Sequence, residues 1–207
     1  MIALFITLAV LLVLVILFLI FFPIINRKIT AKRFVNVYGR KIYRVALDND
    51  FYLINQVKLA SHDNKTANVN HLLFGNKFIY LITDYYFYGE VSAKESDNSW
   101  IYRPFNKKER ARYVDNPLLI SDDLITEVSR ITGIDEDLFI GIVVVNSECD
   151  IKGFDGKSKI NFLVHINKLP RLIETIEKRD VSPLKEKQLY YAVQDIARLN
   201  LNKNNRK

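Results

Sequence analysis

The first 26 residues carry no charged side chain, and this feature constrains the fold more than any other in the chain. From Ile2 to Phe22, Thr7 alone is not apolar. A helix of about 20 apolar residues suffices to cross roughly 30 Å of hydrocarbon. Residues 1–26 are therefore predicted to be a transmembrane anchor, and the rest of the chain is long enough to form one domain with its own core.

A cleaved signal peptide is the alternative for this segment. Such a peptide starts with basic residues, has a shorter apolar core and ends in small residues at its cleavage site. Here no Lys or Arg precedes the apolar run, and the run ends in Phe21-Phe22-Pro23. These features favour an uncleaved, single-pass anchor.

Basic residues follow the anchor, beginning with Arg27, Lys28, Lys32 and Arg33. By the positive-inside rule they place the C-terminal domain in the cytoplasm, at the cell membrane. They are predicted to contact anionic lipid, with nucleic acid as the alternative, since basic surfaces attract both. Cys149 is the only cysteine, which excludes an internal disulfide and agrees with a reducing compartment. The second basic cluster, residues 198–207, is interpreted as a frayed, solvated end.

Apolar periodicity predicts a mixed α/β domain after the anchor, with helices packed on a mixed sheet. The segment 78–82 is apolar on both faces and is predicted to be a central strand. Residues 95–116 are expected to be irregular, with Trp100 anchoring them in the core. The other predicted elements are a helix at 31–47, strands at 51–60, 69–74, 77–85 and 88–94 with a tight turn at Gly75-Asn76, a helix from Asn116-Pro117 to Gly133, strands at 139–147 and 160–165, a helix at 168–179, and a helix that starts at Ser182-Pro183.

Three short motifs follow one another between residues 69 and 89. They are Val69-Asn70-His71, then Thr83-Asp84-Tyr85 after a strand, a turn and a strand, and then Gly89. In order and spacing they resemble the nuclease-related (NERD) domain, a branch of the PD-(D/E)xK nuclease superfamily. The family pattern at these positions is Ile-Asp-His, Glu-x-Lys and Gly.

The resemblance extends over residues 35–147. Gly39-Arg40 is similar to the family's Gly-Glu, and Trp100 and Asn116-Pro117-Leu118 are similar to its later Trp and Asn-Pro-Leu. A Gln that commonly follows the last motif is Ile120 here. The resemblance implies a PD-(D/E)xK-like α/β domain at 27–150, with residues 151–207 as a C-terminal strand and helical extension packed on the same domain.

The residues that carry the family's chemistry are replaced. In the superfamily the Asp and Glu hold a divalent metal, and the Lys assists the attacking water or the developing charge on the phosphate. Those positions are Asn70, Thr83 and Tyr85 here, and Arg40 replaces the upstream Glu. Because Mg²⁺ prefers anionic oxygens, this set predicts a degenerate site without a metal or other cofactor. The expected role is binding or scaffolding, with nucleic acid or a protein as the partner.

Relocated chemistry is the alternative. Glu90 and Lys94 are evenly spaced on the next strand, so they share a face and would form a carboxylate–lysine pair in a Mg²⁺-dependent nuclease. The competing interpretation of Glu90 and Lys94 is an exposed surface ion pair on a strand. Asp84 points to the face opposite Thr83, so it does not restore the old site. Two further candidates are Asp63 and His71, and His71 is interpreted as a hydrogen-bonded core residue.

Overall fold

A single long helix, α1 (Ile2–Asp48), begins the computed structural model. The structure describes residues 2–60, 66–106 and 108–202, with the backbone alone for residues 2–10. The chain forms two compact units, Met1–Val37 and Tyr38–Lys207, and α1 contributes to both. The predicted helix at 31–47 is confirmed as the C-terminal part of α1, and the helix is kinked at Arg33, close to the predicted start.

In the first unit, α1 is apolar around its whole circumference. Every residue from Leu11 to Phe22 is a large hydrophobic side chain with 44–65 % of its surface exposed. A helix of this kind is suited to hydrocarbon and not to water. Within the described residues, α1 is the one helix that is long and apolar enough to cross a membrane. Pro23 lies inside the helix, and the backbone at Arg33 leaves the helical region (φ −129°, ψ 24°).

The second unit contains two sheets and the remaining helices. In chain order its elements are β1 (Tyr52–Ala60), β2 (Thr66–Phe74), β3 (Ile79–Tyr85), β4 (Gly89–Ser92), β5 (Ser99–Pro104), β6 (Arg112–Asp115), α2 (Pro117–Thr132), β7 (Phe139–Val145), β8 (Asp150–Lys152), β9 (Asn161–His165), α3 (Leu169–Glu177) and α4 (Glu186–Leu199). The five-stranded sheet has the order β1-β2-β3-β7-β9, and the four-stranded sheet has the order β6-β5-β4-β8.

The five-stranded sheet is mixed, as predicted. Strands β1, β2 and β3 form an antiparallel meander, and β7 and β9 run parallel to β3. The β2–β3 turn is closed by Gly75, whose N–H donates to the Phe78 carbonyl at 2.9 Å. Six of the seven residues of β3 are buried, and all seven of β7 are. Helices on both faces exclude water from these strands, which confirms the prediction of a central strand at 78–82.

The two faces of this sheet are covered by different helices. Helices α2 and α4 cover one face and form the first core, which includes Ile54, Val57, Leu59, Leu72, Phe74, Leu81, Ile125, Val128 and Ile196. On the other face, Gly39 of α1 adjoins His71. On the same face, Glu177 of α3 accepts a hydrogen bond from the Tyr80 hydroxyl at 2.6 Å. The C-terminal part of α1 therefore packs as a core helix.

The four-stranded sheet corrects the prediction for residues 95–116. They form β5 and β6, and β8 was not predicted either. The strand β5 buries Trp100 and Tyr102 while Arg103 points outward. This alternation is short and lies within a segment of many charged residues, which is why the sequence pattern indicates a loop. Trp100 is buried as predicted. The second core, which the inner face of this sheet shares with α2 and β7, consists of Phe87, Val91, Ala93, Trp100, Tyr102, Leu118, Val143, Val145, Cys149 and Leu163.

Helix α2 has the ends that its sequence predicts. The side chain of Asn116 accepts a hydrogen bond from the Leu118 N–H, and Pro117 occupies the first helical position. Gly133 ends the helix with a left-handed backbone (φ 71°). In contrast, α4 begins at Glu186 and not at Ser182-Pro183, so that predicted start is wrong.

The end of the described chain lies on the edge strand β1. The Lys58 N–H donates to the Asn200 side-chain oxygen at 2.9 Å. The side-chain amide of Asn202 donates to the Gln56 carbonyl at 2.8 Å. Residues 200–202 are therefore attached to the sheet, contrary to the expectation of a frayed end. The remainder of that predicted tail, residues 203–207, lies outside the described residues.

Candidate functional site

The three residues that the resemblance places at the family's metal and lysine positions lie in β2 and β3, where they are packed or hydrogen-bonded. Thr83 and Tyr85 alternate with Asp84 and face the same side as the first and second cores. Tyr85 stacks on Phe87, with ring centroids 5.9 Å apart. Burial raises the pKa of Tyr85 above its ordinary value, so this phenol is neutral at physiological pH. The position of the family's Lys is thus filled by an aromatic ring of the core.

Thr83 and Asn70 offer only neutral oxygens. Thr83 is 4 % exposed, and its hydroxyl has no hydrogen-bond partner in the described part of the chain. Asn70 accepts a hydrogen bond from the Asp84 N–H at 3.1 Å, just beyond the last β2–β3 pair. The Asn70 side chain therefore extends the ladder between the two strands. Its only side-chain oxygen, the atom that a metal would need, already has this structural role.

A buried dyad lies on the opposite face of the same strands. Nε2 of His71 is 2.7 Å from Oδ2 of Asp84, and the two side chains are 2 % and 0 % exposed. Nδ1 of His71 is 2.6 Å from Oδ1 of Asn55, which is the residue paired with it in β1. The interpretation of His71 as a hydrogen-bonded core residue is confirmed.

The hydrogen bonds determine where protons lie in this dyad. An amide oxygen only accepts, so Nδ1 of His71 carries a proton and donates it to Asn55. The short contact with Asp84 holds a second proton, on Nε2 or on Oδ2. Both ring nitrogens are thereby engaged. The dyad joins β1, β2 and β3.

Burial sets the electrostatics of the dyad. It raises the pKa of Asp84 above the ordinary 3.8, and the hydrogen bond from His71 only partly opposes this. The second carboxyl oxygen, Oδ1, is buried without a hydrogen-bond partner among the residues described. Burial first, and the nearby Asp84 carboxyl second, also raise the pKa of Tyr38. These surroundings therefore favour a state in which the proton shared with His71 stays on, or next to, the Asp84 carboxyl.

The dyad has a third hydrogen-bonding partner, Asn55, which the sequence did not identify as a candidate. Asn55 was treated as part of a plain strand, but its neighbour Gln56 has a left-handed backbone (φ 53°). Two exposed residues in a row separate the buried Ile54 from the buried Val57 at this point, so the alternation of buried and exposed residues along β1 is interrupted. The polar pair Asn55-Gln56 interrupts the apolar alternation of this strand and was the available signal for the irregularity.

The structure does not bring Glu90 and Lys94 together as an ion pair. Oε1 of Glu90 accepts a hydrogen bond from Nη1 of Arg103 at 2.8 Å, across β4 and β5. Both partners are partly exposed, so Glu90 belongs to a surface ion pair, but its partner is Arg103 and not Lys94. Lys94 lies beyond the end of β4 with its side chain exposed, and its carbonyl accepts from Nε1 of Trp100 at 2.9 Å. In the described ranges, no group of three or more His, Cys, Asp or Glu side chains is placed to hold a metal ion.

The remaining predicted residues lie elsewhere. Arg27, Lys28, Lys32 and Arg33 follow one another on α1 within the first unit, and all except the half-buried Arg27 are exposed. Arg40 is exposed on the part of α1 that belongs to the second unit. The candidate at position 63 lies outside the described residues. The single cysteine, at position 149, is buried, and burial raises its pKa to about 12.

Comparison of the chain with protein-family models, with curated proteins and with solved structures gave no match. The mixed α/β architecture and the long apolar helix rest on the structure itself. The resemblance to the nuclease-related family stays a prediction from the motifs.

Proposed function

We propose that this chain is a membrane-anchored cytoplasmic module with a NERD-like fold and no metal site, which acts by binding or scaffolding. One observation carries the proposal: the positions of the family's Asp, Glu and Lys are Asn70, Thr83 and Tyr85, and each has a packing or hydrogen-bonding role. A divalent metal would need anionic oxygens at this place, and the strands supply none there.

The placement of the motifs supports the fold part of the proposal. The segment equivalent to Ile-Asp-His lies in β2, and the segment equivalent to Glu-x-Lys ends β3. A tight turn joins the two strands, and the Asn-Pro-Leu motif starts α2. The order of strand, turn and strand between the first two motifs is the one that the family pattern has.

The anchor part rests on α1. Its apolar side chains from Leu11 to Phe22 are exposed, and the basic cluster Arg27 to Arg33 follows within about three turns of helix. Basic residues that follow a membrane span favour the cytoplasmic side and attract anionic lipid. Extraction of membranes with alkaline carbonate tests the anchoring, and protease access to a C-terminal tag in inverted vesicles tests the orientation. Release of the chain by carbonate would contradict the anchor.

The missing metal site is tested with the full-length chain in detergent. Calorimetric titration with Mg²⁺ and Mn²⁺ is expected to give no binding heat, and duplex DNA and RNA are expected to stay intact with either metal. The control is Glu90→Ala, which removes the candidate carboxylate of the alternative nuclease. Metal-dependent cleavage that Glu90→Ala abolishes would replace the proposal with the relocated nuclease. Cleavage that survives this substitution would refute both versions.

A further inference from the structure

The turn between β5 and β6 presents an unusual combination of side chains. Phe105 is 50 % exposed, and its ring leans edge-on against Tyr88 at 5.4 Å between centroids. Among the described residues, three cations follow in the turn and in β6: Lys108, Arg110 and Arg112. The guanidinium of Arg112 lies over the Tyr102 ring, 5.4 Å from its centroid. We name Phe105 and these three cations the hairpin tip.

In the described part of the turn, Asn106 is hydrogen-bonded to Lys108 and to Glu109. The side-chain oxygen of Asn106 accepts from the Lys108 N–H at 3.2 Å, and its amide donates to Glu109 at 2.8 Å. The carbonyl of Asn106 accepts from the Glu109 N–H at 2.9 Å. The one carboxylate of the turn is therefore held by Asn106. In the described residues none of the three tip cations forms a salt bridge with an acidic side chain.

An exposed aromatic ring beside cations that form no salt bridge among the described residues is suited to bind a surface in which an anionic layer covers an apolar one. The interface of a bilayer with anionic headgroups has these two layers, since aromatic rings settle at headgroup level and Lys and Arg bind the negative surface. Single-stranded nucleic acid also attracts cations and aromatic rings, but it is bound along a groove with several stacked rings. Within the described part of the turn Phe105 is the exposed ring, and the 75 % exposed Tyr113 lies farther along, in β6, so the turn itself offers no row of stacked rings.

A tether makes even a weak lipid contact effective. A chain held by its own membrane span meets the bilayer as an intramolecular partner, at an effective concentration of about millimolar for a short connection. We propose that the hairpin tip is a second membrane contact, in which Phe105 enters the interface and the three cations bind anionic headgroups. This inference rests on the proposed membrane anchoring by α1.

The test uses the full-length chain in nanodiscs of phosphatidylcholine, with or without phosphatidylglycerol, and with brominated acyl chains as quencher. Phe105→Trp reports contact of the tip with lipid. Tyr190→Trp on α4 is the matched control, because Tyr190 is also 50 % exposed. The native Trp100 is 1 % exposed and supplies a constant background. Thermal unfolding checks that each variant keeps the native fold.

The Phe105→Trp indole is expected to be quenched several-fold more than the Tyr190→Trp indole in discs that contain phosphatidylglycerol. The difference should vanish when Lys108→Glu and Arg110→Glu are added. Equal quenching of the two indoles in both lipid compositions would overturn the proposal. An emission change on addition of single-stranded DNA, without lipid quenching, would also overturn it and would indicate nucleic acid instead. Leu19→Trp distinguishes the proposed anchor from the proposed tip contact. An unquenched indole at this position would mean that α1 does not lie in the bilayer.

Discussion

The His71–Asp84 dyad gives a quantitative prediction about stability. Asp84→Ala leaves His71 Nε2 buried without its partner, and breaking a buried pair from one side costs about 3–5 kcal/mol. Because Asn55 still accepts a hydrogen bond from Nδ1 of the imidazole, we expect a loss of about 3 kcal/mol, near the low end of that range. In Asp84→Asn the new amide donates to Nε2 while Nδ1 still donates to Asn55. This variant should lie within about 1 kcal/mol of the parent at acidic pH.

The two proteins should diverge as the pH rises. The native pKa of Asp84 is above the unfolded value, so above about pH 3.8 the native state holds a proton that the unfolded state has released. The free energy of unfolding of the parent therefore falls with pH until the native pKa is passed, by about 1.4 kcal/mol for each unit of pKa difference. Asp84→Asn lacks this dependence, so its stability relative to the parent rises across the same window.

Denaturant unfolding in detergent micelles at a series of pH values measures these effects, with the fluorescence of the buried Trp100 as the signal. Asp84→Ala and Asp84→Asn serve as each other's control, since both remove the charge and only the amide keeps the hydrogen bond. If Asp84→Asn were as unstable as Asp84→Ala at every pH, the negative charge and not the hydrogen bond would hold the dyad. The proton placement inferred above would then be wrong.

Three further changes can be measured with the same unfolding assay. Gly141→Ala puts a methyl group against Oδ1 of Asn161 and 2.6 Å from Oγ of Ser121. We expect the free energy of unfolding to fall by about 2–3 kcal/mol. An unchanged denaturation midpoint would refute the tight contact. Asn116→Ala removes the N-cap of α2 and a hydrogen bond to the Asp97 carbonyl, with an expected cost of about 2 kcal/mol. Glu90→Ala breaks only a surface ion pair and should cost less than about 1 kcal/mol, and a larger loss would mean that this carboxylate has a role beyond the pair.

Local signals in the sequence predicted the elements whose structure is decided locally. Asn116-Pro117 and Gly133 mark the two ends of α2 because capping chemistry depends on a few neighbouring residues. The central strand β3 was recognisable from its apolar run, since burial on both faces leaves no polar position. The strands β5 and β6 were missed because one face of their sheet meets water and carries the charges of Arg103 and its neighbours.

The dyad depends on which strands pair, and one sequence does not give that pairing. Alternation placed Asp84 on the face opposite Thr83, and the structure agrees. Its partner His71 was identified as a hydrogen-bonded core residue, but the contact between the two follows from the β2–β3 register. Asn55 joins them through the β1–β2 register, which spans an irregular position at Gln56. Each register is set by the packing of whole strands and not by the residues that it brings together.

The attachment of Asn200 and Asn202 to β1 has a consequence for how copies of this chain meet each other. β1 is the outermost strand of the five-stranded sheet, and an open strand edge offers its amide and carbonyl groups to any other strand. The two asparagines occupy the Lys58 N–H and the Gln56 carbonyl, and the bend at Gln56 distorts the edge further. Molecules confined to a bilayer collide in two dimensions and at high local density. A chain shortened before position 200 should therefore be prone to self-association through β1, even where its fold is intact.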